Sequence, residues 1–547
     1  MRFRRPMLLL AGLTPLVVLA GLGTPSGAAG AGATPGFVHV LLAGSTGTAE
    51  PRVTVAPDGT RYVDTNATGG TETVYRAPDA SHWTKVAVPP AQTNPTTDVD
   101  IVATRTGRII ASELDTSGLN FITSYSDDKG QTWTPSAGQT FADTDRQWYA
   151  VGPDDATTHQ PRVYLLFHNL LSGALSHNMF VATSIDGGAT FLPPVPVATP
   201  PQQDWLDLQC ADSGGPSNIV YDKKNDRVLV AFGTRSSPVG GCAAQPVEIN
   251  VVAANRVWVV AAPAAATELA SSWSPHLAVN DTGANGAPSK IVGMQLAPAA
   301  ADSDGNVYVA YPESVKDYPN YDGAAIKVVH AAAADLDHWS APSVVAPAGG
   351  AGNVLPHLVA GRPGKVDVVY YHGSGPAASP TWHAVAAQSL DALSAAPHWT
   401  AQQLTDVVVE RAQSASKLMG ACNQGQQATL NGFLCGRAAD VFGIALDACG
   451  NLITTWPAQA KQPTDGTYVS TQTSGPNLIC QSAVASVGGT GTGTGTGVGT
   501  GTGAGTGAGG AGGGSLARTG SRPLMALLAL LLVLAGMAVA RLRGRLR

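Results

Sequence analysis

Charge is scarce in this chain of 547 residues: Asp, Glu, Lys and Arg together make up 13% of it, and aromatic residues 6%. The common catalytic signatures are missing. No Gly-x-Ser-x-Gly stretch occurs, which excludes the nucleophile elbow of an α/β-hydrolase. The 12 histidines are scattered, with neither a His-Glu-x-x-His helix nor a paired spacing, so no metal or cofactor is expected. Helical periodicity is lacking too. Alanine-rich pieces at 261–270 and 384–396 are the only helix candidates, and both are short. What remains between about 34 and 487 is rich in Gly, Pro, Val and Thr with short alternating stretches, the profile of an all-β domain.

The long apolar runs sit at the two ends. MRFRRPMLLLAGLTPLVVLAGLG brings three arginines and an apolar core, and Ala31-Gly32-Ala33 supplies a small-residue exit, so residues 1–33 read as a secretory signal peptide. Arg4-Arg5 hints at twin-arginine export, but Pro6 follows directly. Near the other end, SLARTGSRP (515–523) precedes the apolar stretch 524–540 and the basic tail RLRGRLR. At ~1.5 Å per residue that stretch would reach ~25 Å as a helix, barely a bilayer core.

Leu516-Ala517-Arg518-Thr519-Gly520, the apolar stretch and the arginines within 515–547 together resemble a sortase sorting signal of the actinobacterial Leu-Ala-x-Thr-Gly type. The resemblance implies cleavage between Thr519 and Gly520 and covalent linkage of Thr519 to cell-wall peptidoglycan. Signal peptidase and sortase would be processing partners. A plain membrane anchor is the alternative. Residues 488–514, almost all Gly and Thr, form a flexible tether of roughly 30 Å. Without the eight arginines at 2, 4, 5, 522, 541, 543, 545 and 547, the segment 34–519 keeps 24 basic against 38 acidic residues, a net of −14. Such a surface repels nucleic acid, which is not expected as a partner.

The body repeats itself. Seven hairpins, at 52–66, 100–113, 148–169, 218–234, 296–313, 357–373 and 441–458, mostly turn on Asp-Gly, Gly or Asn-Asp. Aromatic landmarks follow six of them: Trp83, Trp133, Phe191, Trp273, Trp339 and Trp399. Four short strands per unit, repeated radially, predict a β-propeller. Seven antiparallel four-stranded blades are expected, or six if one hairpin is an insertion; two stacked sandwiches would not repeat one hairpin at this spacing. The last unit lacks an outer strand, and FVHVLL (37–42) precedes the first hairpin, so this strand is predicted to complete the last blade and close the ring.

SDDKGQTW (126–133) and SIDGGATF (184–191) resemble the Asp-box of the sialidase-like (BNR-repeat) propellers, carried by Ser126, Asp128, Gly130 and Trp133, then by Ser184, Asp186, Gly188 and Phe191. APDASHW (77–83) and ADLDHW (334–339) are degenerate, with the acid one residue too near. The acid can bond its own turn, the glycine can take the left-handed conformation, and the aromatic can bury itself between sheets for ~2–3 kcal/mol. By the resemblance these boxes lie on the face away from the functional site and are structural.

A wheel also sorts the cysteines. Of fifteen pairings for six cysteines, the alternation of rims selects Cys210–Cys242 and Cys422–Cys435 on the functional rim, and Cys449–Cys480 on the back.

Family sialidases use three arginines that clamp a carboxylate, a tyrosine nucleophile paired with a glutamate, and an aspartic acid. Candidate ligand-binding residues ahead of inner strands are Arg52, Arg146 and Arg437, with the nearby acids Glu50, Asp145 and Asp440 as rim ion-pair partners. Trp148 could pack in the core or stack on a sugar. Glu313 with Tyr318 or Tyr321, in the loop 311–323, could supply base and nucleophile. Against catalysis, Pro51-Arg52-Val53-Thr54 keeps only the arginine of the family's Arg-Ile-Pro motif. Asp302 to Asn306 mimics a calcium loop but reads as a hairpin turn. The expected function is binding of an extracellular glycan at the central rim by a wall-displayed propeller. An exo-α-sialidase-like glycoside hydrolase and a protein-binding adhesin are the alternatives.

Overall fold

The computed structural model describes residues 34–67, 72–89, 96–115, 120–137, 144–169, 179–198, 217–234, 256–280, 297–314, 322–411, 443–458 and 462–480. The signal peptide, tether and sorting signal lie outside them, as do Arg437, Asp440, Tyr318, Tyr321, the four cysteines of the functional rim and the side chain of Asp145. Among the described residues no helix is long and apolar enough to cross a membrane.

Strand β1 (Gly36–Leu41) is followed by seven meanders. Blade one is β2 (Thr48–Val55), β3 (Arg61–Ala67), β4 (Glu72–Ala77) and β5 (Thr84–Lys85); blade two is β6 (Thr96–Ala103), β7 (Ile109–Asp115), β8 (Asn120–Ser126) and β9 (Thr134–Pro135). Blade three comprises β10 (Thr144–Asp154), β11 (Pro161–Asn169), β12 (Met179–Ser184) and β13 (Val195–Pro196), and blade four β14 (Asn218–Asp222), β15 (Arg227–Thr234), β16 (Arg256–Pro263) and β17 (Ser274–Asn280). Blade five holds β18 (Ala299–Ala301), β19 (Val307–Glu313), β20 (Ala325–Ala331) and β21 (Ser343–Ala346). Blade six holds β22 (Gly352–Ala360), β23 (Val366–Ser374), β24 (Thr381–Ser389), β25 (Thr400–Gln403) and the short β26 (Glu410–Arg411). Blade seven is β27 (Gly443–Leu446), β28 (Leu452–Pro457) and β29 (Thr467–Ser474), with β1 as its outer strand.

The inner strands β2, β6, β10, β14, β18, β22 and β27 touch in that order, and β27 returns to β2. The wheel therefore has seven blades and is closed by the N-terminal strand, whose pairing with β29 runs from Gly36 opposite Ser474 to Leu41 opposite Tyr468. Inner strands begin at the upper face and end in the hairpin turns of the lower face.

Each seam between neighbouring blades is one apolar cluster, and there are seven clusters. Period-2 alternation builds them, since successive side chains of a strand point into opposite seams. In β24, Ala384 and Ala386 join the seam toward blade seven, while Val385 and Ala387 join the seam toward blade five. That corrects the helix expected from 384: the segment 381–389 is a strand whose small alternating residues let two blades approach. The other alanine-rich piece becomes the end of β16 and two single 3₁₀ turns, Ala264–Ala266 and Ala270–Ser272.

Inner strands have one edge that no strand covers, and side chains cap it. Thr54 Oγ1 accepts from Ala103 N (3.1 Å), Asp100 Oδ2 from Tyr149 N (2.7 Å), and Asn218 brackets Ala299 through both its amide N and its carbonyl (2.8 and 2.7 Å). Thr455 Oγ1 donates to Pro51 O (3.0 Å) across the last seam.

Aromatics from the lower turns seal six seams: Trp83, Trp133, Phe191, Trp273, Trp339 and Trp399 each pack on a different cluster. In the two full Asp-boxes the serine hydroxyl donates to the acid (Ser126 to Asp128, 2.8 Å; Ser184 to Asp186, 2.7 Å) and accepts the glycine N–H. The residue before the aromatic matters as well. Thr132 and Thr190 each donate a hydroxyl to the second oxygen of the acid (2.6 Å). Histidine fills that slot in three other turns, where the Nδ1 of His82, His338 and His398 meets Asp79, Asp335 and Asp391 at 2.8, 2.7 and 2.8 Å. The degenerate boxes thus close by the same logic. The box at Ser389 and Asp391 goes unseen in the sequence because extra residues separate its acid from Trp399.

Gly188 has φ +84°, and an added Cβ would lie 2.5 Å from Ile110 Cδ1, whereas Gly59 has φ +83° with nothing within 4 Å. Gly188→Ala is expected to lower stability by about 2–4 kcal/mol, and Gly59→Ala by about 1–2 kcal/mol, in urea unfolding. Equal losses would mean that only the backbone, not the seam, resists the methyl group.

The seventh seam has no box aromatic. Instead Leu478, fully buried, sits against Gly361 of blade six, its carbonyl accepting from Arg362 N at 2.8 Å. A disulfide between Cys449 and Cys480, Cα–Cα 4.7 Å, holds this end of the chain on the lower face. Asp302 accepts from Asp304 N, Asn306 N and Tyr308 Oη at 3.0, 3.1 and 2.6 Å, so its stretch is a hairpin turn.

Candidate functional site

Four inner strands carry a bulge at the same level near the upper face: between Ala49 and Arg52, Thr96 and Val99, Asp145 and Trp148, and Val354 and His357. Three of these bulges place a non-glycine residue at positive φ: Glu50 (48°), Arg146 (58°) and Leu355 (55°). Such conformations cost about 1–3 kcal/mol each and persist only where surrounding contacts hold them. What they achieve is visible in the side chains that follow, which turn into the centre of the wheel.

Two layers result. In the upper one Arg146 grips Glu50 with both terminal nitrogens (2.7 and 3.2 Å), and Asp98 lies 3.4 Å from the same guanidinium. Blades one and three are thereby joined across blade two. Beneath, Arg52 donates through Nε to Asp100 (2.9 Å), and its guanidinium carbon stands 4.0 Å from the centre of the Trp148 ring. Trp148 in turn lies 5.7 Å from the His357 ring, contributed by blade six. Burial, followed by the Arg52 charge, pushes that imidazole down to about 3, so it is neutral at physiological pH. A buried cation over an aromatic face contributes ~2 kcal/mol. The ion-paired side chains are only 5–14% exposed.

This stack crosses the wheel. A channel of about 380 Å³ starts at Arg52, Asp100, Trp148 and His357 and continues along all seven inner strands toward the lower face. Two arginines and three carboxylates thus stand at the upper end of the channel.

The sequence candidates are placed as follows. Arg52, Arg146 and Trp148 converge on the axis. The arginine partners differ from those expected: Glu50 serves Arg146 and not the nearby Arg52, which instead takes Asp100, because the bulge rotates Glu50 away from its own strand neighbour. Glu313 ends β19 and accepts from Lys327 Nζ at 2.6 Å. Asp98, Asp100 and His357 escaped the sequence reading. A faint signal existed, for Glu50-Pro51-Arg52, Arg146-Gln147-Trp148 and Leu355-Pro356-His357 stand at one position ahead of three hairpins. Also missed is a buried acidic group behind Arg52: Asp64, Glu72 and Glu113, each at most 4% exposed.

No family model matches this sequence, and no curated protein matches it. Similar solved structures include an α-L-arabinofuranosidase from Fusarium graminearum, with 10% identity and TM-score 0.39 over 62% of this chain and 93% of that one. A GH74 xyloglucanase from Xanthomonas campestris matches with 15% identity and TM-score 0.42 over 79% of this chain and 55% of that one. A Hadza microbial sialidase matches with 13% identity and TM-score 0.35 over 75% and 73%. The blade count and topology rest on the strand pairing itself, not on these likenesses.

Proposed function

We propose that the chain is a surface-displayed, sialidase-like propeller that binds an extracellular glycan at its upper mouth without hydrolysing it. One observation carries the reading: both described arginines of the expected carboxylate clamp are already engaged by buried carboxylates. A clamp needs guanidinium edges facing the ligand. Arg146 is held by Glu50 and Asp98, and Arg52 by Asp100 and the Trp148 face. These residues shape a rigid floor under the mouth. Display on a wall-linked tether fits the placement of the body's ends, since Pro35 lies against Gly475 and Cys480 is bonded on the same lower face.

The test uses the 34–487 fragment on a glycan array, together with release of 4-methylumbelliferone from its sialoside. Expected are glycan binding, a tenfold or greater loss on Arg146→Ala, no loss on Asp128→Ala at the opposite face, and no release. Release abolished by Arg146→Ala would replace this reading with hydrolysis, and binding only to proteins would replace it with an adhesin.

A further inference from the structure

Two of the acids behind Arg52 form a buried carboxyl–carboxyl pair. Asp64 is fully buried with its carboxyl hydrogen-bonded to that of Glu72, and no N–H donor reaches either Asp64 oxygen or Oε1 of Glu72. Both residues face blade two, on the side of blade one shared by Tyr62 and Val74. The groups around them are mostly acidic: Glu113 from β7, Asp100 from β6, and from β10 the buried Tyr149 hydroxyl, which lies beside Ser112 and Thr123. The cation at hand is Arg52, which stands directly opposite Asp64 in the β2–β3 register but spends its Nε on Asp100 and its face on Trp148.

Two carboxyl groups buried against each other are stable only if they keep protons. Burial, then the neighbouring carboxylates Glu72, Glu113 and Asp100, drive Asp64 well above the ordinary range, and burial takes Glu72 to about 8.

We propose that Asp64 and Glu72 form a proton-held latch that regulates the upper mouth. While they are protonated, Arg52 remains on Asp100 and Trp148, and the floor of the mouth is intact. Loss of the first proton, from Glu72, leaves a buried anion in the pair whose other member, Asp64, stands opposite Arg52. The guanidinium then shifts toward the pair, abandons Asp100 and Trp148, and the stack comes apart. The regulated site is the mouth assigned above, but the latch is tested without any ligand.

Tryptophan fluorescence of the 34–487 fragment is followed from pH 6 to pH 10, with Trp148→Phe subtracted to isolate the signal of that ring. The expected result is a reversible transition with a midpoint near 8, lost in Glu72→Gln and in Asp64→Asn. Two amides are tested so that failure of one to fold leaves the other. An infrared band of protonated carboxylic acid at pH 7, weaker in each variant than in the wild type, is the accompanying expectation. An unchanged transition in a folded amide variant, or an acid band of equal strength in wild type and variants, overturns the latch. Absence of glycan binding would sink the functional reading above and leave these curves unaffected.

Discussion

Removing residues 34–42 is expected to be the most damaging short deletion in the body. Among the described residues blade seven has no other outer strand, so β1 stitches the beginning of the wheel to its end through its ladder with β29. The deletion strips the ladder from β29 and removes Leu42, 1% exposed within the cluster of Val53, Val63, Tyr75, Ile453 and Val469. It also removes the bond from Leu42 N to Thr467 O (2.9 Å) and that between His39 and Ser470 (2.9 Å). One buried leucine and a strand's worth of hydrogen bonds, less the entropy of ordering the segment, come to on the order of 5 kcal/mol. That is a third or more of a typical domain's net stability of roughly 5–15 kcal/mol. Urea unfolding should show either a large drop in midpoint or no cooperative transition, and a synthetic 34–45 peptide added in excess should restore part of it. A truncated fragment that unfolds like the whole body would mean that the blades hold the ring without β1.

The second large effect concerns pH. Glu72 is raised from 4.5 to about 8 by burial, and Asp367 from 3.8 to about 7 by burial, partly opposed by the bond from Gln388 Nε2 at 2.9 Å. Both groups are more easily protonated in the folded state than in the unfolded chain. Their contribution is therefore fully present below about pH 4, declines as pH rises between the unfolded and folded values, and is gone above about pH 8. Wild-type stability should fall from pH 5 to pH 9, while Glu72→Gln and Asp367→Asn each flatten the curve. At pH 9 either amide should be more stable than the wild type by on the order of 3 kcal/mol in urea unfolding. The two sites lie in blades one and six, far enough apart that their effects should add. Parallel pH curves for wild type and both variants would show that these carboxyl groups reach solvent.

The His-closed turns of the lower face titrate in a different sense. Asp79 and Asp335 are held below the ordinary carboxylate range, Asp79 mainly by the Ser81 backbone N–H and Asp335 mainly by the His338 ring. These groups are open to water, so their effect on stability is screened.

Much of the fold could be read before any coordinates. Strand alternation, turn residues and the repeated hairpin are local properties, and each blade is a local meander, so counting favoured seven blades over six and pointed to an outer strand from 37–42. The Asp-boxes were legible where their spacing was regular. Ala384 to Ala387 misled because alanine favours helix on its own and is accepted in β24 only where two seams require small residues.

The site was different. Arg52, Arg146 and Trp148 could be named as candidates, but their partners come from blades one, two, three and six, hundreds of residues apart, and pair only when the ring closes. Three strained bulges decide where those side chains point, and no propensity records a bulge. The proton content of Asp64 and Glu72 was likewise invisible, since a carboxylate on a strand reads as exposed until a neighbouring blade covers it. Composition and period determined the wheel because they act over a few residues; what the wheel holds at its centre was decided by burial and by contacts that exist only once it is closed.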